Sequence, residues 1–298
     1  MKRRLVLGGL LMAGALSIAV AAQQQAPPKP SASAIKVEKL SDNLYILNAL
    51  AAGSGGNTSI FITATGVVVV DTKNPGWGQP LLDKIKTLTN KPVTTIVNTH
   101  THGDHVSGNV EFPASVDVVV QENTKANMTR MDAFKGDKAQ FLPKRTYKDT
   151  LTIGAGKDQI DLYYFGPGHT NGDTFVVYRA LDVMHAGDMF PWKDAPFIDR
   201  SNGGSGRQWP LSLKKALDTV KNVQSVIGGH QPVATWKDFA TFQQFTAELW
   251  SQTEAAQKAG KSVDEAAAST GWLSKYPGYD STRLKAAVQA IYDELSGK

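Results

Sequence analysis

Apolar and polar residues follow a short period at the start of this chain, predicting strands over residues 35–40, 44–50, 58–63 and 67–71. Thr65-Gly66 is a turn between the last two, so these strands form an antiparallel meander. The period then lengthens. Leu81, Leu82, Ile85 and Leu88 share one helical face within residues 75–89, and a short apolar strand follows at 93–97. Further strands are expected at 116–120, twice within 151–165 around Gly154–Lys157, and at 174–178, 183–186 and 225–227. Helices are expected at 123–134, 210–220, 236–260 and 281–296, with Pro210 well suited to a first helical turn. Two β-rich halves, each followed by helices, predict a sheet-on-sheet core covered by helices on both outer faces.

The amino end has a different pattern. A basic start, an apolar run over residues 5–20 and the small residues Ala19, Ala21 and Ala22 form a secretory signal over residues 1–22. The run is shorter than the roughly 20 residues of a spanning helix, so cleavage and export to the periplasm or beyond are expected, without stable membrane insertion. A linker rich in Gln, Pro, Ser and Ala covers 23–34. The folded domain is expected at 35–235, with 236–298 a helical carboxyl-terminal extension packed on it.

Composition narrows the chemistry. With 41% hydrophobic and 20% charged residues over 298 positions, the chain can build an ordinary globular core. The absence of cysteine excludes disulfides, thiolate metal sites and thiol nucleophiles, so any metal must use His and carboxylate. Of the formal charge of +5, Lys2, Arg3 and Arg4 belong to the expected signal, leaving 5 − 3 = +2. There is no basic stripe interleaved with aromatics, which argues against a nucleic-acid partner.

The candidate chemistry is concentrated in His100-Thr101-His102-Gly103-Asp104-His105, directly after the strand at 93–97. Three imidazoles and a carboxylate on one tight segment can present ligands in two directions, which suits two adjacent metals. Two more histidines occupy Gly-flanked turns after strands, in Gly166-Pro167-Gly168-His169 and Gly228-Gly229-His230. Asp188 follows a strand in Ala186-Gly187-Asp188. Nitrogen and oxygen donors at several strand ends, with no sulfur, suit zinc, though other divalent metals are compatible.

In this order, HxHxDH, GH, GD and GH resemble the metallo-β-lactamase superfamily of metallohydrolases over residues 35–231. The resemblance implies a four-layer αββα sandwich. It implies two zinc ions, the first held by His100, His102 and His169, the second by Asp104, His105 and His230, with Asp188 bridging both. Asp71 matches an acidic residue behind the family's metal loop, or else caps a turn at its strand end. His185 lies within a strand, where alternation turns it away from Asp188, so a packed or solvent-facing role is expected. Asp173 either supports the site from behind or merely starts the next strand, and the strand start is favoured. Gly53-Ser54-Gly55-Gly56 is read as a hairpin loop at the rim of the site. Its walls are expected from residues 53–57, Trp77, and the 188–209 loop with Phe190, Trp192, Phe197 and Trp209.

Two such metals imply a bridging hydroxide that attacks a carbonyl, with Asp104 as the catalytic residue that orients it and handles its proton. The expected function is therefore an exported dinuclear metal-dependent hydrolase of a small ester, thioester, lactone or related small-molecule substrate. A cysteine-free metallo-β-lactamase is the alternative. Asp188 favours the former, because it matches the bridging ligand of glyoxalase-II-like members, whereas lactamases generally carry Ser or Cys there. A persulfide dioxygenase-like oxygenase would need only one iron with two His and one carboxylate. A non-enzymatic metal-binding protein would want a closed site. Nothing in the sequence fixes the oligomeric state.

Overall fold

The computed structural model describes residues 29–49 and 53–298. The expected signal at 1–22 and the first half of the linker lie outside the described residues. No helix among the described residues is long and apolar enough to cross a membrane.

Two sheets face each other. The first joins β1 (Ile35–Lys39), β2 (Leu44–Ala49), β3 (Thr58–Ile62), β4 (Val67–Val70), β5 (Val93–Val97), β6 (Asp117–Gln121) and β7 (Arg145–Tyr147) in chain order. It runs antiparallel through β4, as the meander predicts, and parallel from β4 to β7. The second joins β8 (Thr150–Ile153), β9 (Ile160–Tyr163), β10 (Phe175–Tyr178), β11 (Val183–Gly187), β12 (Ser225–Gly228) and β13 (Ala234–Thr235). Only the β11–β12 pair there is parallel. The helices are α1 (Gly78–Lys86), α2 (Gly103–Val106), α3 (Glu122–Met128), α4 (Trp209–Thr219), α5 (Trp236–Lys258), α6 (Val263–Ala268) and α7 (Leu284–Leu295).

The four valines of β4 show how the layers are made. Val68 and Val70 join Leu44, Phe61 and Val97 in a core shared with Leu162, Val176 and Ile227 of the opposite sheet. Val67 and Val69 point the other way, into a second core beneath α1 with Leu81 and Ile85. Period-2 alternation thus feeds both faces of a fully buried strand, each buried valine contributing roughly 1.5–3 kcal/mol. On the outer face of the second sheet, Phe175, Val177 and Met184 pack with Leu213 of α4, Phe239 and Phe242 of α5, and Val288 and Ile291 of α7. The architecture is the four-layer αββα sandwich.

Several elements depart from the sequence reading. The expected helix at 123–134 is two pieces, α3 and a 3-10 turn at Asp132–Phe134, separated where Met131 becomes extended. Met128 and Phe134 are both buried in the same core, so two short segments satisfy the apolar spacing that one helix was expected to serve. Strands β7 and β13 are too short to show a period. Helix α6 opens with a reciprocal capping box between Ser262 and Glu265. Pro210 does stand in the first turn of α4.

Candidate metal centre

The parallel strand β5 delivers residues 98–102 to one end of the sandwich, and the single turn of α2 reverses the chain there. The amides of His105 and Val106 both donate to the His102 carbonyl, at 3.0 and 3.1 Å, which fixes the turn. His169 arrives after β9, Asp188 directly after β11 and His230 after β12.

All seven expected residues come together here, in two sets that could each hold a metal ion: His100, His102, His169 and Asp188, and Asp104, His105 and His230. His169 Nε2 lies 2.8 Å from His102 Nδ1. His105 Nε2 lies 3.2 Å from His230 Nε2. Asp104 Oδ2 is 3.3 Å from His230 and 3.6 Å from His105. Asp188 reaches both sets. Its Oδ2 is 3.5 Å from His169 Nε2, 3.9 Å from His100 Nε2 and 3.3 Å from His230 Nε2, while Oδ1 is 3.4 Å from His105 Nε2. A side chain on Gly229 would run into Asp188 Oδ1, and one on Gly56 into the His105 ring, so both glycines are required by close approach.

The far nitrogens of the rings are held by the protein. His105 Nδ1 meets Asp71 Oδ2 at 2.7 Å, and Asp71 also accepts from the Thr99 amide and hydroxyl at 2.8 and 2.7 Å. His100 Nδ1 is 2.9 Å from the Thr99 hydroxyl. His169 Nδ1 donates to the Phe197 carbonyl at 2.7 Å. His102 Nε2 lies 2.7 Å from Asp199 Oδ2. Such contacts orient an imidazole and set which nitrogen faces the metal. The sequence reading did not find Asp199; its only signal is Asp199-Arg-Ser-Asn-Gly203, a turn-forming run whose first carboxylate accepts from Ser201 and Asn202.

His100 Nε2 and Asp188 Oδ1 are buried without a hydrogen-bond partner, the arrangement expected where a cation completes the set. The donors are imidazole nitrogen and carboxylate oxygen, which fit zinc. Burial drives His100 well below the usual imidazole range, with the neighbouring imidazoles of His105 and His169 adding to it, and pushes His169 down to about 4. Burial also opposes charge on His105, but the carboxylates of Asp188, Asp71 and Asp104 together hold it well above that range. Asp188 is correspondingly held well below the ordinary carboxylate range: burial acts against its charge, and His105 and His230 outweigh it.

His185 stands apart from both sets. It is fully buried between the sheets, with Nδ1 3.0 Å from the Ser59 hydroxyl, which in turn lies 2.6 Å from the Tyr178 hydroxyl. Asp173 is also buried and accepts from the amide and hydroxyl of Thr170, bracing the turn after His169.

A cleft of about 540 Å³ opens on Asp104 and His230, lined by Lys36, Glu38, Asn48, Asn57 and Gln231 among others. Gly53, Ser54, Gly55 and Asn57 line it as expected. Trp77, Phe190 and Trp209 do not: all three are core residues, because filling the outer layers buries more of each ring than a wet cleft would. Phe197 is 50% exposed, with its ring 5.8 Å from that of His102, and Trp192 lies 5.6 Å from the His230 ring.

Residues 52–240 match the family model described as Metallo-beta-lactamase superfamily. The chain belongs to that superfamily. It is, with its relatives, a metal-dependent hydrolase. A Metallo-beta-lactamase type 2 of Elizabethkingia meningoseptica is 28% identical over 233 residues, covering 76% of this chain and 88% of the relative. Its namesake in Bacteroides fragilis is 25% identical over 66% of this chain and 79% of its own length. Among solved structures, a metallo-beta-lactamase from Pontibacter korlensis superposes with a TM-score of 0.60 at 22% identity, covering 72% of this chain and 99% of its own. FIM-1 from Pseudomonas aeruginosa, in its mono-zinc form, gives 0.61 at 15% identity, covering 75% and 98%. These two likenesses concern the fold. The superfamily match spans every residue of the two ligand sets.

Proposed function

We propose that this superfamily hydrolase is exported and binds two zinc ions, the first through His100, His102 and His169, the second through Asp104, His105 and His230, with Asp188 bridging, to cleave a small ester, thioester or lactone. The observation that carries the reading is the Asp188 carboxylate, which lies within 3.9 Å of imidazoles from both sets. Zinc at these positions would supply Lewis acidity, polarising a carbonyl and lowering the pKa of water toward neutrality. The chain supplies the rest. Asp71, Asp199 and the Phe197 carbonyl keep three of the imidazoles aimed inward. Asp104, which lines the cleft, would orient the attacking water and receive its proton. Lys36, an exposed cation in the same cleft, offers a partner for a substrate carboxylate, and the lining, part polar and part apolar, suits a substrate that has both kinds of surface.

A second reading is β-lactam hydrolysis, supported by the name Metallo-beta-lactamase type 2 that at least four of the relatives carry. Metal analysis of the purified mature protein, joined to a panel of nitrocefin, an acyl thioester, a lactone and simple esters, tests both. Two zinc ions per chain with turnover of acyl substrates or lactone above nitrocefin is the expected result. At most one bound metal under saturating zinc overturns the dinuclear reading, and nitrocefin as the best substrate selects the second.

A further inference from the structure

The helices after His230 lie outside both ligand sets, yet one of their side chains connects back to the site. Glu294, in the last turn of α7, accepts from the Ser205 hydroxyl at 2.5 Å through one carboxylate oxygen and from the Gly206 amide at 2.8 Å through the other. Its Oε2 is also 3.9 Å from the Arg200 guanidinium, which donates to the Gly204 carbonyl at 2.9 Å. Three points of one loop are therefore fastened around a single carboxylate.

That loop carries the supports of two imidazoles. Phe197 offers its carbonyl to His169, and Asp199 its carboxylate to His102. The Gly204 amide donates to the Asp199 carbonyl at 2.7 Å, the Asp199 amide to the His169 carbonyl at 3.0 Å, and the Ser205 amide to the Gly168 carbonyl at 2.9 Å. The fit leaves no slack. A side chain on Gly204 would strike the His169 carbonyl, and one on Gly206 would strike Ile291 of α7 and Ile198. Ile291 is itself buried in the outer core, so α7 cannot follow the loop outward without unpacking.

We propose that Glu294 is a positioning residue for the first metal: by fastening residues 204–206 to α7, it keeps Phe197 and Asp199 where they hold His169 and His102 in their inward orientation. It acts through the loop and touches neither substrate nor metal. The inference rests on the two-zinc reading above. Without the carboxylate, the buried Ser205 hydroxyl and Gly206 amide lose their acceptor, and the loop loses its fixed distance from α7.

The test uses the full mature chain with Glu294→Ala, Glu294→Gln, Ser205→Ala and, as a control on the same helix, Lys285→Ala, whose salt bridge to Asp264 faces α6. His102→Ala and His230→Ala identify which of two zinc-binding steps belongs to which set, read by chelator competition. Glu294→Ala is expected to weaken the step lost in His102→Ala by about 10–100-fold and to leave the His230 step within about threefold. In the metal-free protein it should speed amide exchange of residues 199–206. Ser205→Ala should act in the same direction and more weakly, Glu294→Gln should restore part of the loss, and Lys285→Ala should change neither readout. Equal weakening of both steps, or unchanged zinc binding and exchange in Glu294→Ala, overturns the proposal. Should Glu294→Ala fail to fold, the single hydroxyl removed in Ser205→Ala decides: no selective effect there overturns it equally. A wild-type protein with only one zinc step would instead overturn the dinuclear reading, and the exchange measurement would still judge the brace.

Discussion

The Asp71 carboxylate stands 2.7 Å from His105 Nδ1, on the side of the ring opposite the nitrogen that faces His230. It is fully buried, and its two oxygens are shared between that imidazole and Thr99. Asp71→Asn keeps the shape but removes the charge that favours a proton on Nδ1, and with it the basicity of Nε2. Zinc affinity at the second set should fall by about 10–100-fold, measured by chelator competition. Unchanged affinity would leave Asp71 with only its turn-capping contacts.

Asp188→Ala removes the carboxylate shared by both sets and should weaken binding of the second zinc, read by chelator competition, and lower turnover by orders of magnitude. Asp188→Ser imitates the residue usual in lactamases. If acyl substrates are the natural ones, it loses activity with the metal pair; nitrocefin turnover preserved or raised would favour the lactam reading.

His185→Gln tests the histidine that lies outside the site. Zinc content and turnover should remain those of wild type, since His185 bonds to Ser59 between the sheets. Burial pushes His185 down to about 4, so folding disfavours its charged form. Its contribution is complete above the unfolded value near 6.5 and is lost as pH falls toward 4. Urea titrations of metal-free protein at pH 7 and pH 4.5 should show a smaller acid loss in the variant than in wild type, by a few kcal/mol at most. Loss of activity with both zinc ions retained would return His185 to the chemistry.

Lys73 gives the same direction in a more alkaline window. Wholly buried, it donates from Nζ to the Gly56 carbonyl, and burial pushes it down to about 7 against the pull of Asp71 and Asp104. Between pH 7 and 10.5 the unfolded chain carries the extra proton, so wild-type stability should rise with pH across that range. Lys73→Met should flatten that rise in metal-free protein. Parallel curves for the two proteins would show that the lysine keeps its ordinary proton.

The strands and the ligands were legible for the same reason: both are written in local spacing. Val67 to Val70 alternate between two cores, and HxHxDH occupies one turn. Contacts between distant segments were not. Asp199 lies 97 residues from His102, and no periodicity links them. The aromatics of the 188–209 loop misled for a related reason. Phe190 and Trp209 look like lining when the loop is read alone, and only the position of α5 shows that Phe239 and Phe242 cover them. Lys73 had no sequence signal, since burial of a lysine depends on the shape of everything around it.

The brace at Glu294 also sets an order of events during synthesis. Ser205 leaves the ribosome 89 residues before the carboxylate that fastens it, and His230, the last ligand, is also made before α7. A growing chain therefore displays every ligand while the loop behind His102 and His169 is still free to swing. Zinc met at that stage would be gripped by imidazoles whose aim is not yet fixed. Were the chain exported unfolded, as the proposed function would allow, and loaded with metal only afterwards, the last helix would be docked before the first ion is captured.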